Sequence, residues 1–118
     1  MIELAARAKT LPPPPHVLWA ALVEPHAPRA RPWLEVRDDE TEPRVVESHE
    51  PDLVVWSSLW PDRPHDRIEL RITAHGVESR LAFRWLGPEP GPDDAVLGGR
   101  RHRLNELLWA ELRYSFGQ

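Results

Sequence analysis

Residues 11 to 22 read LPPPPHVLWAAL. Four prolines in a row fix four backbone φ angles at about −65° and remove four N–H donors, so neither a strand ladder nor a helix interior runs through them. One element must end before the run and another begin at its far side. Two uses compete: a polyproline II recognition peptide that docks in an aromatic groove, and a stiff joint inside one fold. The flanks favour the joint. Upstream, Ile2, Leu4, Ala6 and Ala8 alternate with Glu3, Arg7 and Lys9, the period of two of a half-buried strand. Downstream, Leu18, Trp19, Leu22 and Val23 recur at helical spacing, and the first helical turn is where proline is tolerated. A recognition motif belongs in a polar, disordered tail, whereas Leu11 and Trp19 bracket these prolines and are expected to be buried.

A chain of 118 residues fits one domain, expected to span 1–118, and buries a core without disulfides or metal. With no cysteine, disulfide frameworks, thiolate zinc sites and a cysteine nucleophile are excluded. No apolar run reaches membrane-spanning length, and MIELAARAKT has charges where a signal peptide needs an apolar core, so the expected location is the cytoplasm. The net charge of −4 argues against a nucleic-acid partner, since phosphate neutralisation needs a basic surface. Six tryptophans either fill a heavy core or line a pocket for a flat apolar ligand.

Residues 26–33, HAPRARPW, read as an irregular turn or a second, very short helix ending near Trp33. LEVR (34–37) and PRVVESH (43–49) then flank the acidic loop DDETE, the pattern of a hairpin. LVVWSSLW (53–60) follows as a β-branched, aromatic strand. Ile68, Leu70, Ile72 and Ala74 alternate with Arg67, Glu69, Arg71 and Thr73, and His75-Gly76 turns the chain into SRLAFRWL (79–86). After the breaker-rich loop GPEPGPDD, Asp93 or Asp94 suits a helix N-cap. The longest helical pattern then carries Leu97, Leu104, Leu108, Leu112 and Ser115 as one stripe, widened by Asn105, Trp109 and Phe116. Gly98-Gly99 imply that the helix starts after them or approaches another backbone there. The order of elements predicts an α+β domain: a curved antiparallel sheet of about six strands wrapped around a long C-terminal helix, with two short helices after the first strand.

PPPPHVLWAALVEP with RPW, the strand text RVVESHEPDLVVWSSLW and RIELRITAHGVESRLAFRW, and the ending GGRRHRLNELLWAELRYSFGQ together resemble the START/SRPBCC superfamily, whose architecture is the helix-grip fold. The texture is similar to the branch of heat-shock chaperone ATPase activator homologues and to polyketide cyclase-like proteins. The resemblance implies an apolar cavity between sheet and C-terminal helix, used by different members for lipids, sterols or polyketides. Some members are cyclases or hydrolases, some carry ligands and some bind a chaperone.

The residues that fit such a cavity fall on several elements. Leu81, Phe83 and Trp85 share the inward phase of one strand, and Ile68, Leu70 and Ile72 that of its neighbour. Trp33 and Trp56, with Leu104, Leu108 and Leu112 of the helix, complete the candidate lining. A filled core with no ligand is the competing use of the same side chains. The six histidines are scattered without metal-ligand spacing, so no metal and no cofactor is expected. Asp38, Asp39, Glu40 and Glu42 lack the spacing of a calcium loop and read as a solvated turn. Arg100, Arg101 and Arg103 form one basic cluster, either an anion site or a solvated helix face in which one arginine pairs with Glu106. Ser48, Ser57, Ser58, Ser79 and Ser115 include no nucleophile elbow, and Glu69, Arg71 and Arg84 fall in the outward phase. The sequence therefore predicts a binder of a hydrophobic or aromatic small molecule, monomeric or homodimeric. A cyclase- or hydrolase-type enzyme and a chaperone-associated interaction module are the alternatives.

Overall fold

The computed structural model describes residues 1–28 and 32–117. Strand β1 (Ile2–Leu11) runs into the prolines, and helix α1 (Pro15–Val23) starts inside them. Pro14 is the N-cap in extended geometry, and its carbonyl accepts from the amides of Val17 and Leu18, both at 3.1 Å. The joint is latched from the sheet: the buried Ser79 hydroxyl donates to the Pro13 carbonyl at 2.8 Å. Leu11 and Leu18 on either side are buried, while Trp19 is half-buried and its indole N–H donates to the Leu53 carbonyl at 3.0 Å.

Strands β2 (Val45–His49), β3 (Leu53–Ser57), β4 (Arg67–His75) and β5 (Glu78–Gly87) follow in a meander, and β1 pairs with β5. The order across the sheet is β1-β5-β4-β3-β2, antiparallel throughout. Ile68↔Trp85, Leu70↔Phe83 and Ile72↔Leu81 are directly opposite pairs and all are buried, so the alternation in both strands sets the register. The other face carries charge: Arg84 bonds Glu3 at 2.9 Å and Glu69 at 3.3 Å, and Glu69 also takes Arg71 at 3.2 Å.

The C-terminal helix grips the apolar face. It comprises α2 (Asp94–Glu106), a π-helical turn (Leu107–Glu111) and α3 (Leu112–Ser115). Asp93 caps α2 by accepting from the Val96 amide at 3.0 Å. Arg63 fixes the loop before it, donating to the carbonyls of Glu89 at 2.9 Å and Pro90 at 2.8 Å. Leu104, Leu107, Leu108 and Leu112 are fully buried in one cluster with α1 and the sheet. No helix among the described residues is long and apolar enough to cross a membrane.

Several expectations are corrected. Residues 34–37 join no ladder, and among the described residues the sheet has five strands. Side chains take that segment's polar groups instead: Arg103 donates to the Glu35 carbonyl at 2.7 Å, and the Arg37 amide donates to the Glu40 carboxylate at 2.9 Å. A second short helix is absent from the described part of 26–33, where residues 25–28 form turns and residues 32–33 are irregular; residues 29–31 lie outside the described residues. Strand β3 stops at Ser57, because the Ser58 hydroxyl accepts from the Trp60 amide at 3.0 Å and turns the chain. The helix runs straight through Gly98-Gly99, and a Cβ built on either meets nothing within 4 Å.

The last correction concerns β1. A bulge between Glu3 and Ala5 shifts its register, so Ala5, Arg7, Lys9 and Leu11 lie opposite Trp85, Phe83, Leu81 and Ser79. Directly opposite residues share a face. The inward phase beyond the bulge therefore belongs to Ala5, Arg7, Lys9 and Leu11, and Ala6 and Ala8 face outward.

Candidate functional site

The predicted lining residues come together. Trp33, Trp56, Ile68, Leu70, Ile72, Leu81, Phe83, Trp85, Leu104, Leu108 and Leu112 all belong to the one core cluster, each at most 2% exposed. Tryptophans occupy it in pairs. Trp33 stacks on Trp56 with centroids 5.9 Å apart, and Trp60 tilts against Trp85 at 4.7 Å. Their polar edges are used where a partner is in reach: Trp56 donates to the Leu22 carbonyl at 3.0 Å and Trp85 to the Asp66 carboxylate at 2.8 Å. Asp66 also takes Arg63 at 2.5 Å on the same oxygen, Oδ2. The Trp33 indole N–H is buried with no partner among the described residues.

The helix lies over this floor in two different ways. At its apolar end, Trp109 in the π-helical turn sits half-buried on Phe83, centroids 6.3 Å apart, and its N–H donates to Asn105 at 3.0 Å. A π turn adds a residue to the helical repeat and is frequent at functional sites. At its polar end, the guanidinium of Arg103 (7% exposed) is bonded on all three nitrogens. It reaches the Glu40 carboxylate (2% exposed) at 2.8 and 3.1 Å, Glu106 at 3.0 Å and the Glu35 carbonyl at 2.7 Å. Burial pushes the Glu40 carboxyl up, but the hydrogen bonds from Arg103 and the Arg37 amide and the charges of both arginines outweigh it, leaving the group below 4.5. Burial pulls Arg103 down while Glu40 and Glu106 raise it further, and the net direction is up. Arg37 reaches Glu106 from the other side at 2.5 Å.

The solvated face expected for Arg100, Arg101 and Arg103 is thus only partly solvated. The expected partner Glu106 is found for Arg103, yet the arginine is buried, and so is the Glu40 side chain that read as part of a solvated turn. Arg100 lies over the Trp60 ring at 5.1 Å and bonds Asp62 at 2.7 Å. That hydrogen bond and charge hold the Asp62 carboxyl below its ordinary value despite slight desolvation. Two open clefts adjoin the cluster. One of about 300 Å³ touches Trp33, Glu35, Arg37, Arg103 and Glu106, and one of about 420 Å³ touches Asp39, Trp60, Gly99 and Arg100. With four of its five N–H donors taken, Arg103 is a structural cation in both.

The serines that could serve as nucleophiles are bonded elsewhere. The Ser57 hydroxyl accepts from the Arg44 amide, Ser58 closes its turn and Ser79 holds Pro13. Ser115 donates to the Leu112 carbonyl. Among the described residues no serine bonds a histidine; His26 pairs with Glu42, and His49 lies 3.7 Å from Glu47. No three metal-ligating side chains converge among the described residues. Glu69, Arg71 and Arg84 stand on the outer face, away from the helix.

No family model matches the sequence, and no curated protein is significantly similar to it. Solved structures do match. The Aha1 dimer from Colwellia psychrerythraea, determined in solution, is 11% identical with a TM-score of 0.68 over 93% of this chain and 92% of that one. The protein SSP2350 from Staphylococcus saprophyticus is 11% identical, with a TM-score of 0.69 over 99% of this chain and 92% of that one. CalU16 from Micromonospora echinospora is 15% identical, with a TM-score of 0.64 over 87% and 69%. At such identities the likeness is one of architecture, and it agrees with the element order, the antiparallel sheet and the gripping helix: this chain has a helix-grip fold.

Proposed function

We propose that this chain is a cytoplasmic binding domain for a hydrophobic or aromatic small molecule, held between the sheet and the C-terminal helix. The observation that carries the reading is the contact of Trp109 with Phe83. There a half-buried aromatic side chain, on a π-helical turn, covers an aromatic floor residue. Swinging Trp109 away uncovers Phe83 and its neighbours Leu70 and Leu81 on the same face. The remaining lining residues, Trp33, Trp56, Ile68, Ile72, Trp85, Leu104, Leu108 and Leu112, form the wall behind them. Apolar surface released by one ring and taken up by another ring of similar size costs little hydrophobic free energy.

An enzyme using the same space needs a free acid–base group there. The buried polar side chains are instead committed: Asp66 to Trp85 and Arg63, Arg103 to Glu40, and Ser79 to Pro13. A chaperone-type interaction surface gains little from Trp60, which is 1% exposed.

The test is a heteronuclear NMR titration with a panel of small aromatic and alkyl compounds, alongside native mass spectrometry of the purified protein. Binding is expected to move the signals of Phe83 and of Leu107–Glu111 first. A panel that leaves those signals in place, with no co-purifying ligand, ends the reading.

A further inference from the structure

Strand β1 presents a pair of cations where the fold calls for apolar side chains. Past the bulge at Leu4 its inward positions are Ala5, Arg7, Lys9 and Leu11. Ala5 and Leu11, at the two ends, are buried in the core. Arg7 and Lys9, between them, are exposed, and neither has an ion-pair or hydrogen-bond partner among the described residues. Their cross-strand neighbours are Phe83 and Leu81. Phe83 is the ring that Trp109 covers. Two unneutralised cations on the helix-facing side of the sheet thus border Phe83, the ring under Trp109.

Inward-pointing charge on an edge strand also guards a sheet against pairing with another chain. A guard works with either sign and needs no aromatic ring beside it. Here both charges are positive in a chain whose net charge is −4. Residues two apart on a strand stand roughly 7 Å apart, which lets two long side chains converge on one small anionic group.

We propose that the inner face of β1 is the headgroup end of the ligand site, and that the ligand is an amphipathic carboxylate. Its apolar body lies on Phe83 beneath Trp109, and its carboxylate is taken by Arg7 and Lys9. This inference rests on the binding reading above and adds the sign of charge and the direction in which the ligand lies.

The experiment compares 1-naphthylacetate with 1-naphthylacetamide, a neutral compound of the same shape, by isothermal titration. The proteins are the unaltered chain, the double variant Arg7→Gln/Lys9→Gln, and Arg7→Glu/Lys9→Glu. All three are expected to melt alike, since both positions are exposed. The carboxylate is expected to bind the unaltered chain about tenfold tighter than the amide, as charge-assisted bonds outweigh neutral ones. Raised salt should erode that preference. The glutamine variant should lose the preference while keeping its affinity for the amide. The glutamate variant should reject the carboxylate, and the glutamine variant, which removes the charge an edge guard needs, should remain monomeric, which separates a ligand site from an edge guard. Equal binding of the two compounds to the unaltered chain, or a preference that survives in the glutamine variant, overturns the proposal and leaves the binding reading intact. Failure of both compounds to bind overturns the two together.

Discussion

The two halves of the C-terminal helix grip the same sheet by opposite means. Helix α2 buries Leu104 but is held mainly by charge: Arg100 on Asp62, and Arg103 buried between Glu40, Glu106 and the Glu35 carbonyl. The π turn and α3 are held by Leu107, Leu108 and Leu112, all fully buried, with Trp109 laid on Phe83. Charge fixes position through a few directional bonds, and removing one partner strands the other. Apolar packing is non-directional and tolerates rearrangement as long as volume is conserved. The polar half is thereby the fixed end of the grip and the apolar half the adaptable one.

The largest expected effect breaks the fixed end. Arg103→Ala leaves the Glu40 carboxylate buried and unpaired, and should cost about 4 kcal/mol in chemical denaturation, the range for breaking a buried pair. A loss under about 1 kcal/mol would mean that Glu40 simply rehydrates. Leu108→Ala at the adaptable end should cost about 3 kcal/mol, with the polar-end resonances unmoved in NMR spectra. If those resonances shift as much as the local ones, the two halves are not separable.

Acid sharpens the comparison without a mutation. The Glu40 carboxyl is held below 4.5 when folded, so its contribution is present above that unfolded-state value and fades as pH falls through the lower folded one. Acid should therefore loosen the α2 end first, and Glu40→Gln should flatten that part of the stability curve measured between pH 5 and about 2. The smallest expected change has the opposite sign. Gly98 and Gly99 sit in the helix with open space where a Cβ would be. Alanine at either should raise stability by about 0.5–1 kcal/mol, seen as a higher melting temperature.

What was legible in the sequence follows the same division. Leu104, Leu108 and Leu112 at helical spacing, and Ile68, Leu70 and Ile72 in alternation, announce the apolar grip because periodicity is a local property. Arg103 and Glu40 are 63 positions apart, and nothing nearby marks either as buried, so each read as a solvated charge. Residues 34–37 are strand-like, but a distant guanidinium, Arg103, and the carboxylate of Glu40 three residues on take their backbone polar groups. The bulge at Leu4 is equally silent: alternation continues on both sides of it in the text, while the register turns Arg7 and Lys9 inward. The π turn at Leu107–Glu111 leaves no trace among good helix formers.

The tryptophan pairs divide the same ground optically. Trp60 and Trp85 lie 4.7 Å apart, close enough for their excited states to couple, and they sit beside Arg100 at the charged end of the helix. Trp109 stands apart from both pairs, half-buried at the other end. Circular dichroism in the aromatic region therefore reads the fixed end, and once Trp19, the other half-buried indole, is replaced by phenylalanine, emission from Trp109 reads the adaptable one. The molecule carries a separate built-in reporter for each end of its grip.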